Sequence, residues 1–228
     1  MKILCVSDTV SPLIYSPNIK ERYRDIDLVL GAGDLPMEYL GFIASSLNKP
    51  VLFVFGNHNL KQLPLYQRSH SLPPDPFYIG LDSNNGADGS TYVDKTVQKV
   101  KGLLIGGLGG SMRYNKGKNQ FTDLQMLFRI FPMIPRMLWN KLVHGRYIDI
   151  LITHAAPLGI HDLDDPCHRG FGAFRWFMHV FKPQYLIHGH IHLYDQNAVR
   201  VSEYFNTKVI NVYDHYQLTI EESDQRNL

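Results

Sequence analysis

Five short polar clusters, each placed after an apolar run, carry the residues of this chain that could do chemistry. Together they offer two carboxylates, two amides and four imidazoles. Oxygen and nitrogen donors in this mixture suit two divalent ions and leave one imidazole for acid–base chemistry. The clusters are Ser7-Asp8-Thr9-Val10, Gly33-Asp34, Gly56-Asn57-His58-Asn59, Thr153-His154 and Gly189-His190-Ile191-His192.

Apolar runs typical of strands lead into these clusters. Several runs are continuous rather than alternating, which indicates strands covered on both faces. Because ligands of open α/β sheets bind beyond the carboxyl ends of the strands, we expect the clusters to converge on one cleft. Ordinary loop residues would explain one or two such strand ends, but not the whole series. The predicted strands are Lys2–Ser7, Asp27–Gly31, Val51–Phe55, Leu103–Gly106, Ile148–Thr153, Tyr185–Ile187, Ala198–Ser202, Lys208–Val212 and Tyr216–Ile220.

Helix patterns fill three of the intervals between strands. They cover Pro36–Leu47, Thr122–Leu142 and Gly172–Phe181. The second is strongly apolar, and Pro132 and Pro135 are expected to break or kink it. We expect this helix to pack on the core, and the alternative is a cap or an oligomer contact. Its apolar residues at helical spacing are Leu124, Leu127, Phe128, Phe131, Ile134, Leu138 and Leu142.

Length and composition favour one soluble enzyme domain. A chain of 228 residues with 44% hydrophobic and 19% charged residues can bury a sizeable core, so we predict a single domain over residues 1–228. A net charge of +2, with scattered Lys and Arg, gives no footprint for nucleic acid or a membrane surface. No segment approaches the ~20 apolar residues of a membrane span. The region Pro73–Ser90 is predicted to be a loop or hairpin.

The two cysteines, Cys5 and Cys167, do not form a disulfide framework of the secreted type. Cys5 lies inside an apolar strand pattern, where a buried free thiol is expected. The first residues of the chain contain too short an apolar run for a signal peptide. A cytoplasmic location is therefore predicted.

The order of the clusters resembles that of the calcineurin-like metallophosphoesterases, and Gly56-Asn57-His58 is the most distinctive local match. The resemblance runs from Asp8 to His192. It implies an α/β fold, a four-layer α-β-β-α sandwich with mixed sheets and a metal cleft at the carboxyl ends of the strands. It also implies a metal-dependent phosphodiesterase or phosphatase that cleaves a small phosphate ester by attack of metal-bound hydroxide.

The same resemblance implies a role for each polar residue. Asp34 would bridge the two ions, since a shared carboxylate offsets the repulsion of ions roughly 3.5–4 Å apart. His58 would act as general acid or as transition-state stabiliser. Mixed nitrogen and oxygen ligands suit Mn, Fe, Zn or Co. The first ion would be held by Asp8, Asp34 and His192, and the second by Asp34, Asn57, His154 and His190.

The alternation of His190, Ile191 and His192 predicts an extended segment. Successive side chains of such a segment point to opposite faces. Both imidazoles would then face the cleft, while Ile191 would face the core.

Val10 departs from the family pattern, which has Asp-x-His at the first cluster. An isopropyl group cannot bind a metal, and loss of even an outer partner typically costs 10–100-fold in affinity or activity. Water could complete the first site and leave it weak, or another side chain could replace the imidazole. Alternatively, the first ion is absent and the chain is a one-metal enzyme or a non-catalytic descendant. The candidate replacements are His161, His168 and Tyr15.

Two further regions are predicted to line the cleft. The Gly-rich stretch 106–114 fits neither a P-loop nor a dinucleotide motif. It is either a flexible loop after a strand or a loop that brings Arg113 to a phosphate. In the stretch 159–170, His168 and Arg169 are candidate contacts for a phosphate or leaving group, with an ordinary surface loop as the alternative.

Three functions compete on these observations. A metal-dependent phosphoric ester hydrolase is the leading hypothesis, and it needs only a small phosphate-ester substrate. The alternative is a catalytically weakened module of the same fold that binds a protein, with the apolar segment 124–142 as its partner face. A nuclease is a third hypothesis, but the near-neutral charge counts against nucleic acid as a partner. The sequence predicts neither the oligomeric state nor the physiological ion.

Overall fold

The computed structural model describes residues 1–69, 89–195 and 197–221. The predicted loop or hairpin at 73–90 lies almost wholly outside these residues. The strands are β1 Lys2–Ser7, β2 Leu28–Gly31, β3 Val51–Phe53, β4 Thr91–Tyr92, β5 Val97–Val100, β6 Leu103–Leu108, β7 Ser111–Met112, β8 Gln120–Phe121, β9 Ile150–Thr153, β10 Tyr185–His188, β11 Val201–Tyr204, β12 Thr207–Asn211 and β13 Asp214–Thr219. The helices are α1 Ile19–Arg22, α2 Met37–Leu47, α3 Leu63–Ser69, α4 Asp123–Ile130, α5 Ile134–His144 and α6 Gly172–Phe181.

Two mixed sheets form the centre of the fold. The first has the order β13-β1-β2-β3-β4, and the second has the order β11-β12-β10-β9-β6-β5. Strands β1 to β4 are parallel, as are β6, β9, β10 and β12, while β13, β5 and β11 run antiparallel to their neighbours. Since parallel neighbours end at the same edge, each sheet gathers several strand ends at one place.

Both faces of each sheet are covered, which explains the continuous apolar runs. On β1, Ile3 and Cys5 pack in the core between the sheets, whereas Leu4 and Val6 pack beneath α1, α2 and α3. On the second sheet, Leu151 packs in a third core with residues of α4, α5 and α6. The layers are therefore helices, sheet, sheet and helices. This confirms the predicted α-β-β-α sandwich and the buried free thiol of Cys5.

The apolar segment 122–142 breaks at its prolines as expected, with a 3-10 turn over Phe131–Met133 between α4 and α5. The segment packs on the core as expected, and Leu127 and Ile134 lie against it, but the other five residues of the predicted stripe do not. Its proposed core residues Leu124, Phe128, Phe131, Leu138 and Leu142 are between 45% and 79% exposed. A different stripe at helical spacing is buried instead, and it consists of Met126, Ile130, Met133 and Met137. Among the described residues, no helix is both long and apolar enough to cross a bilayer.

Candidate metal centre

The five polar clusters meet where strands of the two sheets end. Asp8, Asp34 and Asn57 follow β1, β2 and β3 of the first sheet. His154 comes directly after β9 of the second sheet, and His190 lies two residues beyond β10. The structure thus brings together the predicted ligands from both sheets.

Hydrogen bonds join these loops across the gap between the sheets. The His154 Nδ1–H donates to the Ala32 carbonyl at 2.9 Å, which ties β9 to the end of β2. The His190 backbone N–H lies 3.0 Å from both carboxylate oxygens of Asp8. Within the second sheet, the Gly189 N–H donates to the His154 carbonyl at 3.1 Å. The relative positions of the clusters are therefore fixed by contacts far apart in sequence.

Tight turns at these strand ends require unusual backbone conformations. Asp8, Asp34 and His190 have φ values of 64°, 57° and 66°, in the left-handed region that side chains other than Gly seldom adopt. A Cβ at Gly56 would overlap the carboxylate of Asp34, and a Cβ at Gly189 would overlap the carboxylate of Asp8. Strain and close approach concentrated at one place are typical of a functional site.

The His-x-His segment is a turn and not the predicted extended strand. His190 adopts the left-handed conformation, and the Ile191 N–H donates to the Gly189 carbonyl at 2.8 Å. Ile191 is buried, as expected from its apolar side chain. His190 is buried as well, whereas the side chain of His192 is 41% exposed. The two imidazoles therefore have different surroundings.

We call Asp34, Asn57, His154 and His190 the buried half of the site. The His154 Nε2 lies 3.2 Å from Asp34 Oδ2 and 3.1 Å from Asn57 Oδ1. Donor atoms of Asp34, His154 and His190 all lie within 4.8 Å of one another. All four residues are buried, so little side-chain movement is needed to surround one ion.

Backbone carbonyls orient both imidazoles of the buried half. A carbonyl oxygen can only accept, so the His154 Nδ1 carries the proton in its bond to Ala32, which directs Nε2 at Asp34. The His190 Nε2–H likewise donates to the Cys167 carbonyl at 2.7 Å, which leaves Nδ1 free. Metal-binding histidines characteristically donate their other ring N–H to such an outer partner.

Charge is strongly coupled within the buried half. Burial disfavours the charged form of His154, but the Asp34 carboxylate, with a smaller contribution from Asp8, outweighs burial and raises the pKa of His154 to about 9. Burial also acts against the Asp34 carboxylate, yet His154 and the His58 N–H lower the pKa of Asp34 to about 2. Burial, reinforced by His154, lowers the pKa of His190 to about 3. These shifts favour a charged pair of Asp34 and His154 at neutral pH and a neutral His190.

We call Asp8, His192 and the adjoining Val10 segment the open half of the site. The His192 Nε2 lies 3.9 Å from Asp8 Oδ1, and Val10 is 37% exposed. The His192 ring stacks on Tyr213 with centroids 4.7 Å apart, and its Nδ1 lies 2.8 Å from the Tyr194 hydroxyl. Burial raises the pKa of Asp8 above its ordinary value. These candidate ligands are fewer than those of the buried half, and one of them, His192, is exposed, although the Asp8 side chain is buried.

The candidate replacements for the missing imidazole at Val10 are engaged elsewhere. Among the described residues, none of the three forms a hydrogen bond or ion pair with Asp8. His161 contacts His188 and Ser202, and His168 pairs with Asp165. Tyr15 packs against the rings of Tyr39 and Phe42.

His58, the predicted catalytic residue, lies beside the Asp34 carboxylate. Its backbone N–H donates to Asp34 Oδ1 at 2.7 Å, and its side chain is exposed. The Asn59 side chain donates to the Asp34 carbonyl at 2.9 Å. The turn therefore holds Asp34 from two sides and leaves the His58 imidazole accessible to a substrate.

The predicted substrate contacts lie at different places around the site. The Arg113 guanidinium donates to the Gln125 Oε1 at 3.0 Å, and it lines a cavity of about 460 Å³ together with Arg169. The His168 ring lies 5.3 Å from the His190 ring, measured between centroids. The structure therefore places His168 against the buried half, and the two arginines around a cavity that none of the predicted metal ligands lines.

The Gly-rich stretch is more ordered than a flexible loop. Strand β6 continues through Leu108, so residues 106–108 belong to the second sheet. The Gly109 N–H donates to Asp94 Oδ1 at 2.8 Å, and the Gly110 N–H donates to the Phe55 carbonyl at 2.9 Å. These bonds fix the path of the chain towards Arg113.

Sequence reasoning missed several neighbours of the ligands. The Ser7 hydroxyl donates to Asp8 Oδ2 at 2.5 Å, and the Asn57 Nδ2 donates to the Tyr114 hydroxyl at 3.4 Å. Ser7 could have been found from its place in the first cluster, and Tyr114 from its place at the end of the Gly-rich stretch. Tyr213 carries no such signal, because only the pairing of distant segments brings it to the site.

The family pattern of the calcineurin-like phosphoesterases matches residues 1–194. The chain belongs to this family. One solved structure covers 95% of this phosphoesterase and 94% of its own chain, with 13% identity and a TM-score of 0.63. The protein TT1561 of Thermus thermophilus covers 93% of this chain and 89% of its own, with 13% identity and a TM-score of 0.59. At such identities the likeness shows the fold alone.

The remaining comparisons do not bear on the activity of this chain. A structure described as a novel archaeal phosphodiesterase covers 94% of this chain and 84% of its own at 13% identity, but its TM-score of 0.42 is too low to bear on activity. No curated protein matches the chain.

Members of this family are generally hydrolases that depend on a dinuclear metal centre. The residues of this phosphoesterase fit such a centre. Buried carboxylates, an amide oxygen and oriented imidazoles converge from separate loops, and donor atoms of three of them lie within 4.8 Å of one another. The raised pKa of His154 and the lowered pKa of Asp34 both favour a positive charge within the buried half.

Proposed function

We propose that this chain is a metal-dependent phosphoric ester hydrolase that acts on a small phosphodiester or phosphomonoester. The observation that carries the proposal is the buried half of the site, where Asp34, Asn57, His154 and His190 converge from both sheets. A fold that needed only to bind a partner would have no use for two oriented imidazoles around a buried carboxylate. Family membership supports the same reaction class.

Two divalent ions, with Mn the first to test and Fe, Zn or Co as alternatives, would complete the site. Asp34, Asn57, His154 and His190 would hold one ion, and Asp8, Asp34 and His192 the other. Bound ions of this kind lower the pKa of water and polarise phosphoryl oxygens. Because the open half lacks an imidazole at Val10, we propose that its ion binds more weakly than the ion of the buried half.

His58 would act on the phosphoryl group itself. Its imidazole is exposed beside Asp34, and its backbone is fixed by the 2.7 Å bond to Asp34 Oδ1. An imidazole at that position can donate a proton to the leaving oxygen, or it can stabilise negative charge on the phosphoryl oxygens. Both roles depend on the His58 imidazole, and neither requires His58 to bind a metal ion.

The cavity around the two arginines would receive the rest of the substrate. Its volume of about 460 Å³ suits a small molecule, and Arg113 and Arg169 on its wall offer guanidinium groups to a phosphate or an acidic leaving group. His168, which lies against His190, would contact the ester from the same side. A small phosphate ester inside the cytoplasm is the proposed substrate class.

The substitution His58→Asn tests the catalytic assignment. We expect turnover of bis-p-nitrophenyl phosphate or p-nitrophenyl phosphate with Mn²⁺ to fall by about 10²–10⁴-fold, the usual contribution of general acid–base catalysis. Metal content, measured by elemental analysis of the same sample, should stay unchanged. His144→Asn is the matched control, because His144 is a partly buried histidine at the end of α5 and belongs to neither half of the site.

The possible outcomes test the role of His58 separately from the proposed hydrolase activity of the whole protein. Full activity in His58→Asn would show that another residue performs the acid or stabilising role. An inactive wild-type protein with Mn²⁺, Fe²⁺, Zn²⁺ and Co²⁺ supplied in turn would exclude hydrolysis of these esters. In that case the second candidate function would take its place.

The second candidate is a protein-binding module with weakened catalysis. It is favoured by the large apolar side chains that α4 and α5 leave exposed, among them Leu124, Phe128, Trp139 and Leu142. The open half of the site would then be a remnant, with Val10 marking the loss of a ligand. Under this hypothesis a partner would bind even when Asp34 is replaced by Asn.

A further inference from the structure

A second group of metal-binding side chains lies on the loop between β9 and α6. The Cys167 Sγ lies 2.7 Å from Asp165 Oδ1 and 3.4 Å from His168 Nδ1. The His168 Nδ1 lies 3.0 Å and 2.9 Å from the two Asp165 carboxylate oxygens. One donor atom from each residue lies within 4.8 Å of the others. None of the three belongs to the proposed ligand sets of the dinuclear centre.

We propose that Asp165, Cys167 and His168 form an additional site for a thiophilic divalent ion, with Zn²⁺ as the best match. Thiolate, imidazole and carboxylate are the usual protein ligands of zinc. A thiolate and a carboxylate balance the charge of the ion, while the imidazole binds in its neutral form. On binding, the Cys167 S–H bond breaks, its proton passes to solvent, and the sulfur binds the metal.

The geometry needs only a small expansion to accept the ion. Tetrahedral zinc, with bonds of about 2.0–2.3 Å, holds its donor atoms roughly 3.3–3.7 Å apart. The separations here are 2.7–3.4 Å, so the three side chains must open by less than about 1 Å. The side chains of Asp165 and His168 are 43% and 34% exposed, so they can move and an ion can reach them. Three ligands leave a fourth position for water.

This additional site is connected to the dinuclear centre through the backbone of Cys167. The Cys167 carbonyl accepts the hydrogen bond that orients His190, at 2.7 Å. The His168 ring also lies beside the His190 ring. An ion on the loop would therefore hold in place both the carbonyl and the imidazole that contact a ligand of the buried half.

Cobalt provides a readout that the dinuclear centre cannot imitate. Co²⁺ bound to a thiolate gives an intense sulfur-to-cobalt charge-transfer absorption in the near ultraviolet, whereas oxygen and nitrogen ligands alone give only weak bands. The full chain is first saturated with Mn²⁺, which prefers oxygen and imidazole donors, and is then titrated with Co²⁺. We expect a charge-transfer band whose intensity at saturation corresponds to one thiolate-bound cobalt per chain, even if Co²⁺ also replaces Mn²⁺ in the dinuclear centre, and that disappears when Zn²⁺ displaces the cobalt.

Variants assign the band to the loop. Cys167→Ser should remove it, and Cys5→Ser, the matched control, should keep it because Cys5 is buried in the core between the sheets. His168→Ala should weaken the cobalt affinity by about tenfold or more. The readout needs no turnover, so its failure and the failure of the proposed hydrolysis are distinguishable.

A measurement on the wild-type chain covers the case in which Cys167→Ser does not fold. Zn²⁺ should slow alkylation of Cys167 by at least tenfold, with mass spectrometry identifying the modified cysteine. Absence of the charge-transfer band in the wild-type chain, or a band that survives in Cys167→Ser, would overturn the proposal. Equal alkylation rates with and without Zn²⁺ would also overturn it.

Discussion

The buried and open halves of the candidate metal centre, for which we propose Asp34 as the shared ligand, are built differently. In the buried half, His154 and His190 are held by backbone carbonyls at 2.9 Å and 2.7 Å, so their free nitrogens are already directed. In the open half, His192 is held by the side chains of Tyr194 and Tyr213 and is partly exposed. Position 10 contributes an apolar side chain there.

The ligands of the two halves therefore differ in how firmly they are held in place before an ion binds. A ligand fixed by backbone needs little ordering when an ion binds, whereas an exposed side chain loses conformational freedom. We therefore expect the two ions to bind in sequence, with the buried half filled first. The following changes test this difference between the halves.

Removing the shared ligand should have the largest effect. Asp34→Asn keeps an oxygen that can accept from the His58 N–H but takes a charged ligand from both ions. We expect turnover to fall by more than about 100-fold and both ions to be lost. Elemental analysis and the phosphodiester assay measure this. Asp25→Asn, at an exposed carboxylate, is the control, and activity near wild type in Asp34→Asn would contradict a bridging role.

The coupled charges of the buried half predict a pH dependence of the metal-free chain. The pKa of His154 rises from 6.5 to about 9, so its pairing with Asp34 stabilises the fold fully below pH 6.5 and is lost as pH rises through 9. We expect the free energy of unfolding, measured with denaturant in the presence of a chelator, to fall by about 3 kcal/mol over that range.

The variant His154→Gln should lack this pH-dependent loss, since its side chain does not titrate. The lowered pKa of Asp34 acts at the other end of the scale. Its stabilisation is present above pH 3.8 and is lost as pH falls through about 2. An identical pH dependence in wild type and His154→Gln would show that His154 is not charged in the metal-free fold.

Removing a ligand from the open half should affect one ion only. In His192→Ala we expect the weaker ion to lose about 10–100-fold in affinity while the tighter ion stays bound. Isothermal titration with Mn²⁺ resolves the two events, and His144→Ala serves as the control. If both ions weakened equally in His192→Ala, the division into two halves would be incorrect.

Adding a ligand to the open half should reduce the difference in metal affinity between the two halves. Val10→His restores the imidazole that the family has at this position, and we expect the weaker ion to gain about tenfold in affinity. Val10→Leu controls for the change in size, because it adds bulk without a ligand. Unchanged Mn²⁺ affinity in Val10→His would show that the exposed segment at residue 10 does not face the ion.

The parts of the fold that sequence predicts are those with local signals. Continuous apolar runs identified most strands of the two large sheets, although β4, β5, β7 and β8 were not predicted. The polar residues that end these runs identified Asp8, Asp34, Asn57, His154 and His190 as neighbours. Parallel pairing then places such residues at one edge, whatever the details of the loops. The architecture followed from these patterns and from the family resemblance.

The parts that sequence missed depend on packing between distant segments. The left-handed turn at His190 is imposed by its bond to Asp8, which lies far away in the chain. The buried stripe of α4 and α5 was assigned to the wrong face, because both faces are apolar and only packing against the second sheet selects the Met126 side. The Cys167 carbonyl has no sequence signature, since any residue supplies a carbonyl.

The left-handed backbone at Asp8, Asp34 and His190 sets a local strain against the contacts that the same residues make. Each of these residues holds a conformation that costs of order 1–3 kcal/mol and that glycine would adopt freely. Glycine at any of the three positions would relieve this strain, but it would also remove the side chain, and at Asp34 it would break the pairing with His154. The three turns therefore hold their polar side chains in place at the expense of backbone strain.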